Sequence, residues 1–220
     1  APGGADVVAI GLIGRGIQSS RTPGMHEREA RRLGICCSYI LIDFDGLNLP
    51  DEVIGDLVRA APQAGFRGLN VTHPFKQSIL PSLDRLSDDA RAIGAVNTVV
   101  FDGQGSVGHN TDSWGFAEGF REAMAGAALD RVALFGAGGA GAAVAFALLG
   151  LGVQDLAIVE IDTARGQRLA ERLTATFPAR VEASSDAGQT VKRASGVVNS
   201  TPIGMAKYPG SPFDPDLLPA

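Results

Sequence analysis

The chain has 220 residues, 45% of them hydrophobic, which is ample core for one large or two small domains and excludes a disordered chain. A formal net charge of −5 without any cluster of lysine and arginine excludes a nucleic-acid surface. His26, His73 and His109 are too scattered for a metal site. Cys36 and Cys37 are adjacent in what reads as a buried strand, and are expected to be core residues in a reducing compartment. The opening stretch APGGADVVAIGLIG has no basic segment before its apolar run, so no signal peptide and a cytoplasmic location are expected.

In chain order, Val7 to Ile13 is a β-rich apolar run that ends in Gly14. Thr22 followed by Pro23 predicts a helix start with the hydroxyl as N-cap, and Gly34 predicts its stop. Ser20 lies just before this cap, where its hydroxyl and that of Thr22 can meet an anion at the helix N-terminus. Cys36 to Phe44 reads as a second strand. Asp51 to Ala61 reads as an amphipathic helix with Val53, Ile54, Leu57 and Val58 on one face. In GLNVTHPFK, Leu69 to Thr72 is a short strand, Pro74 ends it, and Lys76 falls in the first turn of a following helix. The positive helix end disfavours a lysine there, a position that suits a group trading a proton. Ser87 to Gly94 is another capped helix. Ala95 to Phe101 and Ser106 to His109 form a hairpin around Asp102-Gly103-Gln104-Gly105. Asn97 lies within the first of these strands and needs polar partners there. Asp112 is placed to cap the helix carrying Trp114, Ala117 and Phe120, which bridges the two halves of the chain.

Val132 to Val153 carries no charged side chain, a run long enough to suggest a membrane span. The glycines between Gly136 and Gly141 instead divide it into strand, turn and helix, with the helix expected from about Ala140 to Leu149. Gly136, Gly138 and Gly141 fit G-x-G-x-x-G: the first for a tight turn, the second for close approach of backbone to a pyrophosphate, the third for packing of helix on strand. The stretch Gly136, Ala137, Gly138, Gly139 and Gly141 is therefore a candidate phosphate cradle at a helix N-terminus. A strand from Leu156 to Ile161 ends on Asp162, an acid placed to accept both ribose hydroxyls of an adenine nucleotide. A helix Thr163 to Thr176, a strand Ala179 to Ala183, a short helix Asp186 to Arg193 and a strand Gly196 to Ser200 follow, which implies a parallel sheet with helices on both faces. NSTPIGM, with Thr201 and Pro202, ends that last strand where open α/β sheets bind ligands.

GLIGRGIQSSRTPGMH, GLNVTHPFK, GAVNTVV, GHNTD, GAGGAG and NSTPIGM, in this order, resemble the shikimate/quinate dehydrogenase family from Gly11 to Met205. The resemblance implies an α/β fold in which an N-terminal substrate domain, residues 1–111, and a Rossmann-like dinucleotide-binding domain, residues 112–220, face each other across a cleft. It implies reversible oxidation of a ring hydroxyl of quinate or shikimate by a nicotinamide dinucleotide. Ser20 and Thr22 match the hydroxyls that hold the substrate carboxylate. Threonine at the second position is like the branch that uses quinate as well as shikimate. Asn70, Thr72, Asn97 and Asp112 match residues that bind the ring hydroxyls, and Lys76 and Asp112 match the catalytic pair. Relatives that use NADP commonly carry Asn-Arg-Thr after the second nucleotide-domain strand. Here Glu160-Ile161-Asp162-Thr163 offers no basic clamp, and Asp162 favours NAD, with Arg165 placed to stack on adenine or to admit some NADP.

Family members continue, where this chain stops at Ala220, with a strand and C-terminal helices that bring a tyrosine and a glutamine to the site. The expected partners are small hydroxy acids, with neither nucleic acid nor membrane. The alternatives are a shikimate dehydrogenase preferring NADP, a more distant aminoshikimate-type relative, and a binding or regulatory module without turnover.

Overall fold

The computed structural model describes residues 7–218. Ala1 to Asp6, which open the stretch APGGADVVAIGLIG from which no signal peptide is expected, lie outside them, as do Pro219 and Ala220. The chain divides into two compact units, one of the described residues up to Arg91 with Ala95–Asn110, the other of Ala92–Gly94 with the described residues from Thr111 onward.

The first unit is built on a six-stranded sheet: β1 (Val8–Gly14), β2 (Cys37–Asp43), β3 (Phe66–Val71), β4 (Arg85–Leu86), β5 (Thr98–Phe101) and β6 (Ser106–His109), in the order β2-β1-β3-β5-β6-β4. β1, β2 and β3 run parallel, and β5 returns antiparallel, setting Thr98 opposite Asn70. Between the strands come α1 (Thr22–Arg32), α2 (Ile54–Ala60) behind a 3-10 turn (Asp51–Val53), the single turn α3 (Phe75–Ser78) and α4 (Asp88–Ile93). The sheet residues alternate between two faces as a strand period of two requires. Ile13, Leu69, Val71 and Val99 pack with Ile54 and Val58 of α2 and Phe75 of α3, whereas Leu12, Ile17 and Tyr39 form a separate cluster.

Three expectations are corrected here. β2 is an edge strand that begins at Cys37; Cys36, just before it, is exposed and Cys37 only half-buried, and neither is a core residue. Thr22 and Asp112 are the first residues of their helices, and Arg21 and Thr111 precede them as N-caps without side-chain capping bonds. Lys76 lies in a single turn, which sums too few peptide dipoles to create the expected positive end. The stop of α1 is as expected: Gly34, at φ +72°, donates to the Arg31 carbonyl, and Ile35 donates to that of Ala30.

The second unit holds α5 (Asp112–Ala123), β7 (Arg131–Phe135), α6 (Gly139–Gly150), β8 (Asp155–Val159), α7 (Thr163–Thr174), β9 (Arg180–Ser184), α8 (Ala187–Lys192) and β10 (Gly196–Asn199). Its four strands are all parallel, in the order β10-β7-β8-β9. Every residue from Val132 to Phe135 is buried, so both faces of β7 are covered. The long uncharged run is therefore a strand, a turn and a 12-residue helix, and among the described residues no helix is long and apolar enough to cross a membrane. β8 ends at Val159, earlier than expected, and Ile161 is 95% exposed.

Candidate functional site

In the first unit the candidate residues gather at one end of the sheet. Parallel strands β1 and β3 both finish there, and β5 begins there beside β3. After β1 the chain loops through Ser20, whose hydroxyl donates to the Thr22 hydroxyl at 3.0 Å and accepts from the Thr22 backbone N–H at 3.3 Å. The pair therefore stands as two adjacent, half-buried oxygens. Asp43, at the end of β2, holds the loop beneath them. Its buried carboxylate accepts from the backbone N–H groups of Gly16, Ile17 and Asp45 and from the Gln18 amide.

Burial pushes the Asp43 carboxyl up, but these four hydrogen bonds outweigh it and hold the group below the usual carboxylate range. A folded-state value below the unfolded one contributes stability that is complete above about pH 4 and is lost as pH falls through the folded value. The melting temperature of Asp43→Asn is accordingly expected to lie well below wild type at pH 6 and the gap to narrow as the pH is taken below about 4, as read by calorimetry. A gap that stays constant over that range would refute the assignment.

At the end of β3, Asn70 Oδ1 accepts from the Tyr39 hydroxyl at 2.6 Å, and its nitrogen donates to the Thr98 hydroxyl at 3.2 Å. The Thr72 backbone N–H donates to Ile13, and the Thr72 methyl lies where a Cβ on Gly14 would clash, so β1 and β3 touch at their ends. Asn97 sits one residue before β5, not within it, yet its carbonyl still accepts from the Val71 N–H at 2.8 Å. The Lys76 carbonyl accepts from the Val96 N–H at 2.7 Å, which ties the lysine's turn to the segment carrying Asn97. Asn70, Thr72, Lys76 and Asn97 are thus brought together by backbone pairing within one unit. Asp112 opens α5 in the second unit.

In the second unit the glycine turn has the geometry its spacing implies. Gly136 has φ +97°, a conformation that favours glycine, and a Cβ there would press on Thr201 and Ser200. A Cβ on Gly141 would come within 2.0 Å of the Gly136 carbonyl oxygen. Gly138 is extended, and a Cβ on it would meet nothing within 4 Å, so the space beside it is open. Gly139 begins α6, whose first amides lack intrahelical acceptors and suit a phosphate. These features fit a dinucleotide pyrophosphate. Thr201 and Pro202 follow β10 after Ser200, whose hydroxyl donates to the Phe135 carbonyl at 2.6 Å and pins that segment beside the turn.

The residue missed by sequence reasoning is Glu160. It is the first residue after β8, with its side chain 4% exposed, and it accepts from the Ala137 N–H at 2.7 Å, the Asp162 N–H at 3.1 Å and Arg165 at 2.7 Å. Burial pushes its carboxyl up, and the bonds from Arg165, Ala137 and Asp162 outweigh this and lower it. The Ala137 amide is therefore engaged within the protein, and the Arg165 guanidinium is committed to Glu160. Asp162 is the N-cap of α7, accepting from the Arg165 N–H at 3.0 Å. The signal for Glu160 was the first charge after the apolar run LAIV.

Comparison with known proteins bears on the chain as a whole. The family model described as "Shikimate dehydrogenase substrate binding domain" matches residues 12–99. A shikimate dehydrogenase (NADP(+)) of Pseudarthrobacter chlorophenolicus is 46% identical over 95% of this chain and 72% of its own length. A quinate/shikimate dehydrogenase (NAD(+)) of Corynebacterium glutamicum is 44% identical over 97% of this chain and 77% of its own. The solved quinate dehydrogenase from Corynebacterium glutamicum in complex with NAD superposes with a TM-score of 0.87 at 43% identity, covering 97% of this chain and 77% of that one. By sequence and by fold, the chain belongs to the shikimate/quinate dehydrogenase family.

Proposed function

We propose that this chain catalyses the reversible NAD-dependent oxidation of a ring hydroxyl of quinate or shikimate to the corresponding ketone. The observation that carries the cofactor choice is Glu160. Its negative charge stands at the end of β8, and it occupies the nearby arginine, Arg165, that could otherwise meet a 2′-phosphate. A phosphate brought there meets negative charge and a neutralised guanidinium, whereas ribose hydroxyls meet the exposed carboxylate of Asp162 as acceptor. Asp162 adds a second acid on the same segment.

When bound, NAD supplies the hydride acceptor. The chain's own residues supply the rest. Ser20 and Thr22 offer hydroxyls to the substrate carboxylate, and Asn70, Thr72 and Asn97 hold the ring hydroxyls. Lys76 and Asp112 take the proton from the reacting hydroxyl and return it in the reverse direction. Threonine at position 22 favours quinate alongside shikimate. A cytoplasmic setting belongs to the same reading and accords with two unpaired thiols, Cys36 and Cys37.

The test is the initial rate with quinate and shikimate, each offered against NAD and NADP. Turnover with NAD well above NADP is expected, and the reverse order would overturn the cofactor choice. Failure of every pair would favour a fragment of a longer enzyme or a binding module, which the same assay on a longer chain separates. Glu160→Ala removes the charge and frees Arg165, so the ratio of NAD to NADP efficiency is expected to fall about tenfold or more. The ratio is the useful readout because Glu160 also holds Ala137, and its loss weakens both cofactors together.

A further inference from the structure

Tyr39, Asn70, Thr98 and Asn97 are joined by hydrogen bonds that all run one way. The Tyr39 hydroxyl donates to Asn70 Oδ1 at 2.6 Å, Asn70 Nδ2 donates to Thr98 Oγ1 at 3.2 Å, and the Thr98 hydroxyl donates to Asn97 Oδ1 at 3.0 Å. The direction follows from the chemistry of the groups. Asn70 Nδ2 also lies 3.5 Å from the Asn97 carbonyl, which can only accept, so the nitrogen must face that side and the oxygen must face Tyr39. Tyr39 is 7% exposed, and burial raises its phenol well above the ordinary value, so the hydroxyl keeps its proton.

The ring of Tyr39 faces the other way, onto α1. It packs on His26 with centroids 4.7 Å apart, and His26 Nδ1 lies 3.0 Å from the Thr22 carbonyl. One buried side chain therefore contacts both the helix that begins at Thr22 and the strand end that carries Asn70. A phenylalanine would fill the same space and make the same ring contact. Only the hydroxyl reaches Asn70.

We propose that Tyr39 is a positioning residue: its hydroxyl, donating directly to Asn70 and acting on Asn97 through Asn70 and Thr98, holds the two carboxamides in one orientation for recognition of the substrate ring hydroxyls. The proposal rests on the reading of Asn70 and Asn97 as substrate contacts. The lock leaves Asn70 Oδ1 one lone pair with which to accept a ligand hydroxyl. Without the Tyr39 hydroxyl the oxygen side of the Asn70 amide loses its fixed donor, and the group is held from its nitrogen side alone.

Tyr39→Phe is expected to raise KM for the hydroxy acid roughly fivefold, with kcat and KM for NAD within about twofold of wild type. In an Asn70→Ala background the same change should add nothing, since Tyr39 acts through Asn70. In the protein without substrate, the side-chain amide signals of Asn70 in a nitrogen-15 NMR spectrum should shift or broaden on Tyr39→Phe. An equal rise in KM with and without Asn70, or unmoved Asn70 amide signals, would overturn the proposal. Thr98→Val breaks the next link and is expected to give the same pattern of KM and amide shifts, so a poorly folding Tyr39→Phe does not block the test. If neither wild type nor a longer chain turns over either acid, the dehydrogenase reading falls, while the NMR measurement still decides whether Tyr39 sets the amide.

Discussion

Replacing Lys76 by alanine is expected to lower turnover about 10²- to 10⁴-fold while leaving the affinity for NAD unaltered. Oxidising a secondary alcohol removes a hydride from carbon and a proton from oxygen, and the second task needs a group that can hold a proton and return it. Lys76 is kept in place by its surroundings, not by a helix. Phe75 and Ile79 on either side of it are buried at 1% and 0%, and Phe75 packs on Phe44 with ring centroids 4.4 Å apart. Such an aromatic pair is worth about 0.5–1.5 kcal/mol beyond its buried area. The Phe75 N–H donates to the Thr72 carbonyl, and the Lys76 carbonyl accepts from the Val96 N–H, so the start of the turn is tied to both neighbouring segments. Alanine at 76 keeps all of these contacts, and the variant should fold as wild type does. Steady-state rates and NAD titration by calorimetry separate the outcomes. Loss of rate with intact NAD binding supports a proton-transfer role, and a variant that keeps most of its activity removes Lys76 from catalysis. Asp112→Asn is the companion test, because the effects of residues that act as a unit are not additive and neither alone need account for the whole.

What the sequence disclosed depended on how local the cause was. The strand–glycine–helix reading of Val132 to Val153 needed only the spacing of Gly136, Gly138 and Gly141, and the turn has that geometry. The stop at Gly34 and the Asp102–Gly105 hairpin loop likewise follow from residues close together in the chain. Boundaries set by competition were less legible. Ile161 is apolar and β-branched and extends the apparent strand, but Glu160 turns inward to the Ala137 amide and ends it at Val159. The burial of Cys36 and Cys37 depended on whether β2 is central or at an edge, which a single strand's composition does not encode. Tyr39 was least visible of all. Its partner Asn70 lies 31 positions away, and nothing within β2 distinguishes a tyrosine that fills space from one that orients an amide. The motif residues of the first unit were legible through resemblance; their supports, Asp43, Tyr39 and Thr98, were not.

Two single-methyl changes in the glycine turn are expected to have opposite signatures. Gly141→Ala places a Cβ 2.0 Å from the Gly136 carbonyl oxygen and 2.9 Å from Ser200 Oγ. Backbone cannot yield that distance without moving α6 away from β7, so a cost on the order of 3 kcal/mol or more is expected. For a chain of this size that corresponds to a fall in melting temperature of roughly 10 °C. It is a large share of the ~5–15 kcal/mol that holds a domain together. Gly138→Ala meets no atom within 4 Å, and its extended backbone suits alanine, so its melting temperature should match wild type. What the added methyl does occupy is the open approach to the turn. If a pyrophosphate lies there, overpacking by about 1–3 kcal/mol translates into roughly ten- to hundredfold weaker NAD binding. Calorimetric melting and NAD titration of the two variants therefore distinguish structural from ligand-facing glycines. A Gly138→Ala protein that binds NAD as wild type does would move the pyrophosphate away from this turn, whereas a stable Gly141→Ala would mean that α6 can lift from β7 at little cost.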